Sequence, residues 1–212
     1  MIPSSQDFLK MNRKLHTPGV AEVLARACVG VAGLGGLGSN AALLLARSGV
    51  GRLVIADFDI VELGNLNRQQ YSLHDIGRPK AEALTEIIGR VHPYVSVDSH
   101  STRLTAENIP AIFDGCDVIV EAFDDPLAKQ MIIEKVLADM ENVWIIAASG
   151  IAGYGMYEKL AVRRFDRLIL CGDGVTEVKE GVPLLAPRVS LVAATQANAV
   201  IEILMELAGR KE

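Results

Sequence analysis

Short apolar runs separated by an amphipathic stretch predict alternating strands and helices near the start of the chain. The runs Cys28–Ala32 and Arg52–Ala56 have strand length, and residues 39–48 between them carry apolar side chains at helical spacing. Gly49 stands where a helix C-cap is expected. The unit formed by residues 28–57 therefore has the length of a parallel strand–helix–strand crossover.

The same alternation continues through the rest of the chain. Residues 58–77 are mostly polar and form a long excursion, which in compact domains is often functional. Residues 164–187 mix glycines, charges and prolines without periodicity and predict an open, irregular crossover loop in the C-terminal half. The remaining apolar patterns predict strands at 94–99, 117–122, 143–149 and 156–163, and helices at 80–90, 126–140 and 190–208. The sequence thus predicts an α/β fold, with a Rossmann-like, mainly parallel sheet that has helices on both faces.

Composition and charge indicate the cellular compartment and disfavour some classes of binding partner. The 212 residues are 50% apolar and 22% charged, as expected of one packed globular domain. The longest apolar stretches are too short or too interrupted to span a membrane, and the first residues lack the apolar block of a secretory leader, so we expect a cytoplasmic protein. A net charge of −5 argues against nucleic acid as the main partner.

A glycine loop follows the first predicted strand. In Gly33-Leu34-Gly35-Gly36-Leu37-Gly38 the glycines let the backbone approach a phosphate closely, and the following helix directs free N–H groups at it. A tight turn beneath a packed helix is the structural alternative. Asp57, about 20 positions after Gly38 and at the end of the second strand, is placed to accept hydrogen bonds from ribose hydroxyls. These features fit NAD and ATP equally well.

Two cations and a carboxylate favour ATP over NAD. Arg68 and Lys80 lie in the polar excursion and at the next helix start, where they could neutralise phosphates and a leaving pyrophosphate; each could equally be a solvated surface charge. Asp124 follows an apolar strand, in the crevice expected of an open sheet, and could hold Mg²⁺. Its neighbour Asp125 precedes Pro126 and is better explained as a helix N-cap. A dehydrogenase would leave Arg68, Lys80 and Asp124 without a task.

These residues resemble the motifs of the ThiF/MoeB/HesA family, relatives of ubiquitin-activating enzymes that adenylate the C-terminal glycine of small ubiquitin-like sulfur carriers. The similarity covers about residues 8–209 and keeps the order of the family's motifs at near its spacing. The matching segments are residues 33–38, Asp57-Phe58-Asp59, residues 62–69, Gly77-Arg78-Pro79-Lys80 and Phe123-Asp124-Asp125.

The resemblance implies a role for each matching residue. Asp57 would hold the ATP ribose, and Asp124 would coordinate the magnesium ion. Arg13, in Met11-Asn12-Arg13-Lys14, is similar to the arginine that family members insert into the partner subunit's active site, which implies a homodimer. The residues that would bind the nucleotide around its phosphates are the loop glycines and Asp59, Asn65, Arg68, Gln69 and Lys80.

The implied reaction is adenylation of the C-terminal glycine carboxylate of a ubiquitin-like sulfur carrier that ends in Gly-Gly, with release of pyrophosphate. ATP and Mg²⁺ are the implied cofactors, and Arg68, Lys80, Asp124 and Arg13 would stabilise the charge that develops. The short chain most resembles the ThiF-type branch linked to thiamine biosynthesis. We predict a single adenylating domain over residues 1–212, with an N-terminal helical arm (1–27), a nucleotide-binding core (28–150) and a carrier-facing part (151–212).

The cysteines depart from the pattern of many family members. Those members carry two Cys-x-x-Cys pairs for zinc, whereas Cys28, Cys116 and Cys171 stand far apart, so we predict no zinc site. Cys171 falls in the predicted crossover loop and is a possible sulfur-transfer residue. Cys28 and Cys116 border predicted strands and are expected to be small core residues.

Several alternatives stay open from the sequence. A molybdopterin-synthase carrier activator or a tRNA threonylcarbamoyladenosine dehydratase would use the same ATP site, although the second would want a basic surface for tRNA. From other classes, an NAD-dependent dehydrogenase explains the glycines and Asp57, and a non-catalytic scaffold would bind a ubiquitin-like partner without turnover.

Overall fold

The computed structural model describes residues 4–17 and 19–209, and strands and helices alternate between residues 28 and 148. The helices are α1 (Ser5–Leu15), α2 (Val20–Arg26), α3 (Gly36–Ser48), α4 (Lys80–Val91), α5 (Ile109–Ile112), α6 (Pro126–Asp139) and α7 (Ala186–Gly209). The strands are β1 (Cys28–Ala32), β2 (Arg52–Ala56), β3 (Ser96–His100), β4 (Val118–Glu121), β5 (Trp144–Ala148), β6 (Ala161–Phe165) and β7 (Leu168–Gly172).

The seven strands of the described residues form one sheet in the order β3-β2-β1-β4-β5-β7-β6. Every neighbouring pair is parallel except β6 with β7, which is antiparallel. From β1 the chain first builds outward through β2 and β3, and then returns to the other side of β1 to add β4. This reversal opens a crevice at the carboxyl ends of β1 and β4, where open α/β sheets bind their ligands.

Helices cover both faces of the sheet and so divide the core in two. On one face, α3, α4 and α7 contribute buried residues such as Leu45, Leu84 and Val200. On the other face, α5 and α6 contribute Ile109 and Ile132. The predicted Rossmann-like fold with helices on both faces is therefore confirmed, whereas the division into an arm, a core and a carrier-facing part stays a prediction.

Within the described residues, α7 is the one helix whose length and apolar composition would allow it to cross a membrane. Its buried residues, among them Val189, Ala193 and Ile203, belong to the main core cluster together with residues of α3 and the sheet. A core helix passes the same test of length and composition, and the packing of α7 accounts for its hydropathy.

The prediction of an open loop over residues 164–187 is wrong at its start, because Leu168–Gly172 forms β7 between β5 and β6. The apolar run is only five residues long and lies among charged residues and glycines, so pairing with both neighbours specifies the strand where local pattern does not. The preceding strand is also displaced: residues 157–159 form a 3-10 turn, and β6 begins at Ala161.

Candidate active site

A cavity of about 380 Å³ opens at the carboxyl ends of β1, β2 and β4, within the size range of small-molecule sites. It brings together side chains that lie far apart in the sequence. Ten of the predicted site residues line it: Gly33, Gly35, Gly36, Asp57, Asp59, Asn65, Arg68, Gln69, Lys80 and Asp124. The sequence therefore predicted most of the polar lining of one cavity.

The glycine loop turns sharply between β1 and α3. Gly33 has φ +87°, in the left-handed region that favours glycine, and its N–H donates to the carbonyl of Ala56 at 2.9 Å. Gly38 does not line the cavity. A Cβ atom there would lie 1.8 Å from the carbonyl oxygen of Gly33, so its role is to let the loop fold back onto the helix.

Helix α3 begins earlier than predicted, at Gly36 within the glycine loop itself. Its N-cap residue is Gly35, and no side chain caps the helix start. The first N–H groups of α3 are thus available at the cavity, where together with the helix dipole they favour an anion. Residues with a Cβ would keep a phosphate farther from this backbone.

Asp57 is buried at the end of β2 and faces the loop. One carboxylate oxygen accepts from Leu34 N at 2.6 Å and the other from Asp59 N at 2.8 Å. Burial raises the pKa of Asp57, while these two hydrogen bonds and nearby Lys80 oppose the rise. A carboxylate has about four lone-pair sites, so two remain for further donors such as ribose hydroxyls.

The two predicted cations of the cavity, Arg68 and Lys80, lie in different surroundings. The Lys80 side chain is buried, and its Nζ lies 2.8 Å from a carboxylate oxygen of Asp59. Arg68 Nη1 donates to Gly64 O and to the side-chain oxygen of Asn67, and no carboxylate among the described residues pairs with it. The charge of Arg68 is therefore available to an anion in the cavity.

The excursion that carries Arg68 is fastened to the start of α3 by a buried asparagine that the sequence analysis missed. Asn40 Nδ2 donates to Gly36 O at 2.7 Å and to Arg68 O at 3.0 Å. An amide in the second turn of the helix that follows a glycine loop is the signal that could have found it. Nearby, Gln69 Oε1 is buried without a partner among the described residues, and Asn65 Oδ1 accepts from Glu62 N.

Asp124 is exposed at the cavity edge, in the turn between β4 and α6. Its carboxylate makes no hydrogen bond or ion pair with any described residue. Asp125 instead accepts from Leu127 N and Ala128 N and caps α6, as predicted. Glu121 stabilises this turn. It is fully buried, and its carboxylate accepts from Phe123 N at 2.8 Å and pairs with Lys129.

A single free carboxylate fits a magnesium ion that arrives with a nucleotide. Mg²⁺ keeps several waters and is commonly held by one or two carboxylates together with substrate phosphates. Among residues 4–17 and 19–209, no group of three or more His, Cys, Asp or Glu side chains could hold a metal ion by itself. Asp124 therefore suits a metal shared with phosphates better than an all-protein cage.

Two further parts of the lining were not predicted as such. After β3, Arg103 places its guanidinium 3.8 Å from the centre of the Phe58 ring, and both residues line the cavity on the side of β2. On the side of β5, the lining is the apolar wall formed by Ile151, Leu184 and Val189. Phe58 belongs to the Asp57-Phe58-Asp59 motif, whereas the wall comes from two irregular segments and the first turn of α7.

Three predicted site residues lie outside the cavity: Gly38, Arg13 and Cys171. Arg13 pairs with Glu22 at 2.5 Å, and its helix packs near Gly49 and Gly51, which precede β2, whereas the cavity lies beyond the other end of that strand. Cys171 is not in an open loop: it is 1% exposed in β7, and burial raises the pKa of its thiol to about 12. Its burial among the core residues of the sheet leaves little thiolate for sulfur transfer.

Comparison with known proteins places this geometry in a family. The model of the ThiF family matches residues 10–211, a span that contains every element around the cavity. The chain belongs to the ThiF family. The resemblance noted from the motifs of the sequence is thereby confirmed.

Individual relatives cover the chain to different extents. Molybdopterin-synthase adenylyltransferase of Salmonella typhimurium is 28% identical over 214 residues, which cover 95% of this chain and 84% of that protein. Adenylyltransferase and sulfurtransferase UBA4 of Yarrowia lipolytica is 28% identical over 82% of this chain, but this chain spans only 45% of that protein. Among solved structures, tRNA N6-threonylcarbamoyladenosine dehydratase of E. coli in complex with AMP matches with a TM-score of 0.86 and 19% identity, over 99% of both chains.

Proposed function

We propose that this ThiF-family protein transfers the adenylyl group of ATP to a carboxylate, releasing pyrophosphate. The observation that carries the proposal is the convergence of an uncapped helix start, the unpaired Arg68, the buried Lys80 and the free Asp124 on one cavity. An oxidoreductase that binds NAD would leave the two cations and Asp124 unused, because no phosphate departs in hydride transfer.

The reaction asks for charge stabilisation more than for proton transfer. A carboxylate oxygen of the acceptor attacks the α-phosphorus, the new O–P bond forms, and the bond to the pyrophosphate oxygen breaks. No general base is needed, because the acceptor carboxylate is ionised near neutral pH. The α3 N–H groups, Arg68 and Lys80 align the phosphates and stabilise the charge on the leaving pyrophosphate. Asp124 would hold Mg²⁺, which supplies further charge neutralisation on the phosphates when bound.

The comparisons support two candidate acceptors. The similarity to molybdopterin-synthase adenylyltransferase over most of both chains favours a ubiquitin-like sulfur carrier, and it favours the molybdopterin type over the thiamine type that the sequence first suggested. The end-to-end fold likeness to tRNA N6-threonylcarbamoyladenosine dehydratase supports a second candidate, in which the acceptor carboxylate is the threonylcarbamoyl group of a tRNA. The net charge of −5 favours the first candidate.

Magnesium-dependent exchange between ATP and labelled pyrophosphate tests the proposal. The acceptors are molybdopterin-type and thiamine-type carriers that end in Gly-Gly, and threonylcarbamoylated tRNA. We expect exchange with one of them, lost in Asp124→Ala and kept in Asp125→Asn, since asparagine retains the N-cap. Exchange with none of these acceptors, although ATP binds, would reject carboxylate adenylation of these substrates.

A subunit-complementation experiment tests the role proposed for Arg13. Arg13 pairs with Glu22 and does not line the cavity of its own chain, so any catalytic role would be at the cavity of a second copy. Arg13→Ala and Lys80→Met proteins should each be inactive, and mixing them should restore part of the exchange activity through mixed dimers. Mixtures that stay inactive under conditions where subunits exchange would reject a shared site.

A further inference from the structure

Two cysteines that the proposed adenylation does not use face each other at the opposite end of the sheet from the cavity. The Sγ atoms of Cys28 and Cys116 lie 3.6 Å apart, although the residues are separated by 88 positions in the chain. Both side chains are buried in the core cluster beneath α5 and α6, with 7% and 5% of their surface exposed. The nucleotide cavity lies beyond the other ends of β1 and β4.

The backbone holds the two cysteines in place. Cys28 N donates to a carboxylate oxygen of Asp117 at 2.9 Å, and Asp117 N donates to Cys28 O at 2.8 Å. The strands are in register at Val29 and Val118, so Cys28 stands one residue before this pair and Cys116 two residues before it. For adjacent parallel strands, such diagonal neighbours have Cα atoms about 6 Å apart, the separation that disulfides prefer.

The two thiols have different surroundings. The hydrogen bond from Cys116, helped by the positive charge of Arg52, lowers the pKa of Cys28, against opposing effects of burial and of Asp117 and Asp98. The hydrogen bond to Cys28 and burial both raise the pKa of Cys116. Of the two thiols, Cys28 therefore loses its proton more readily, and Cys116, with its sulfur 3.6 Å away, is placed to act as the resolving cysteine.

We propose that Cys28 and Cys116 form an oxidation site that reacts with hydrogen peroxide and closes into an intramolecular disulfide between the starts of β1 and β4. The Cys28 thiolate attacks one peroxide oxygen, and the O–O bond breaks. Hydroxide departs, and Cys28 becomes a sulfenic acid. The Cys116 sulfur then attacks the Cys28 sulfur, the S–O bond breaks, and the oxygen departs with the Cys116 proton as water. Two thiols are oxidised and one peroxide is reduced to two waters, since the hydroxide takes up the proton first lost by Cys28.

The third cysteine provides an internal control. Cys171 is buried in β7 and belongs to the core cluster on the other face of the sheet from Cys28 and Cys116. It has a raised pKa and no resolving partner, so peroxide should leave it as a thiol. Oxidation should therefore remove the free thiols of Cys28 and Cys116 and leave the thiol of Cys171.

Mass spectrometry and thiol titration of the full chain test the proposal. After treatment with stoichiometric hydrogen peroxide and unfolding in urea, we expect titratable thiols to fall from three to one and the mass to drop by two hydrogens, with dithiothreitol reversing both. Digestion without reductant should yield one linked pair of peptides, containing Cys28 and Cys116. Cys171→Ser should form the same link, and Cys116→Ser should instead leave a sulfenic acid on Cys28 that dimedone traps.

Three results would overturn the proposal. They are an oxidised protein that keeps all three thiols, a link that joins two copies of the chain, and a sulfinic acid on Cys28 while Cys116 stays free in the wild-type protein. None of these readouts depends on ATP or on an acceptor. A failure of the adenylation proposal therefore leaves this test intact, and the reverse holds as well.

Discussion

The two sides of the cavity are held by different kinds of contact. On the phosphate side, formed by the glycine loop, the start of α3 and Lys80, the backbone itself is the scaffold: Gly33 N donates to Ala56 O, and Lys80 N donates to Asp59 O at 2.9 Å. On the other side, the apolar wall of Ile151, Leu184 and Val189 comes from irregular segments and the first turn of α7.

A buried ion pair fastens the segments behind the apolar wall. Arg188 on α7 donates to Gly155 O at 2.7 Å and pairs with Asp173 at 2.5 Å, and both side chains are almost fully buried. Burial opposes ionisation of Asp173, but hydrogen bonds from Thr176 and Val175, with Arg188, lower its pKa overall. Backbone hydrogen bonds at the ends of regular strands and helices therefore hold the phosphate side, whereas the buried side-chain contacts of Arg188 hold the segments behind the wall.

The largest expected effect comes from removing Arg188. Arg188→Met leaves the Asp173 carboxylate buried without its cation, which typically costs about 3–5 kcal/mol of unfolding free energy. Urea denaturation measures this loss. The matched control is Arg90→Met, which removes the exposed pair with Glu86 and should hardly change the urea midpoint. Equal effects of the two substitutions would show that the wall does not depend on the buried pair.

The same contrast explains which parts of the structure could be predicted from the sequence. The parallel strands, the glycine loop, Asp57 and Lys80 were predictable because apolar runs and local turns specify them. The apolar wall, β7 and the burial of Cys171 were not, because pairing with distant strands and the contacts of Arg188 decide them. The sequence also could not show that Arg13 pairs with Glu22 within its own chain.

Replacing Lys80 tests the catalytic contribution of the phosphate side. Lys80→Met removes a buried cation from the cavity, so pyrophosphate exchange should fall on the order of 100-fold or more, about 2.7 kcal/mol of transition-state stabilisation. Steady-state exchange rates at saturating ATP measure the effect. Lys179→Met, at an exposed position in the segment after β7, should keep the wild-type rate. A similar loss in both variants would point to general charge rather than to the position of Lys80.

Glycine substitutions test the backbone of the phosphate side. In Gly38→Ala the new Cβ would meet the carbonyl oxygen of Gly33 at 1.8 Å, and the forced shift should cost about 1–3 kcal/mol of stability and weaken ATP binding. In Gly35→Ala the nearest atom is Gln69 Nε2 at 3.8 Å, an ordinary contact, so stability should change little. Thermal unfolding and ATP titration compare the two. Equal stability of both variants would show that the loop can relax away from α3.

The smallest effect concerns the pair of Glu121 and Lys129, which lies beneath the turn that presents Asp124 to the cavity. Burial raises the pKa of Glu121, and its contacts with Lys129 and Phe123 N only partly offset the rise. As pH increases, Glu121 therefore loses its proton at a lower pH in the unfolded chain than in the folded protein. Between these two pH values the folded state binds more protons. Stability from this group is present below the ordinary glutamate pKa and declines as pH rises towards the folded value, by about 1.4 kcal/mol for each unit of difference.

Glu121→Gln should remove this decline while its amide oxygen still accepts from Phe123 N. Unfolding free energies measured from about pH 5 to about pH 8 should then fall less steeply than in the wild-type protein. Glu86→Gln is the control, because the hydrogen bond from Arg78 lowers the pKa of Glu86 and its substitution should leave the slope in this range unchanged. Parallel curves for wild type and Glu121→Gln would mean that Lys129 fully offsets the burial of Glu121. The turn that presents Asp124 would then be anchored by an ion pair as firmly as the apolar wall is by Arg188 and Asp173.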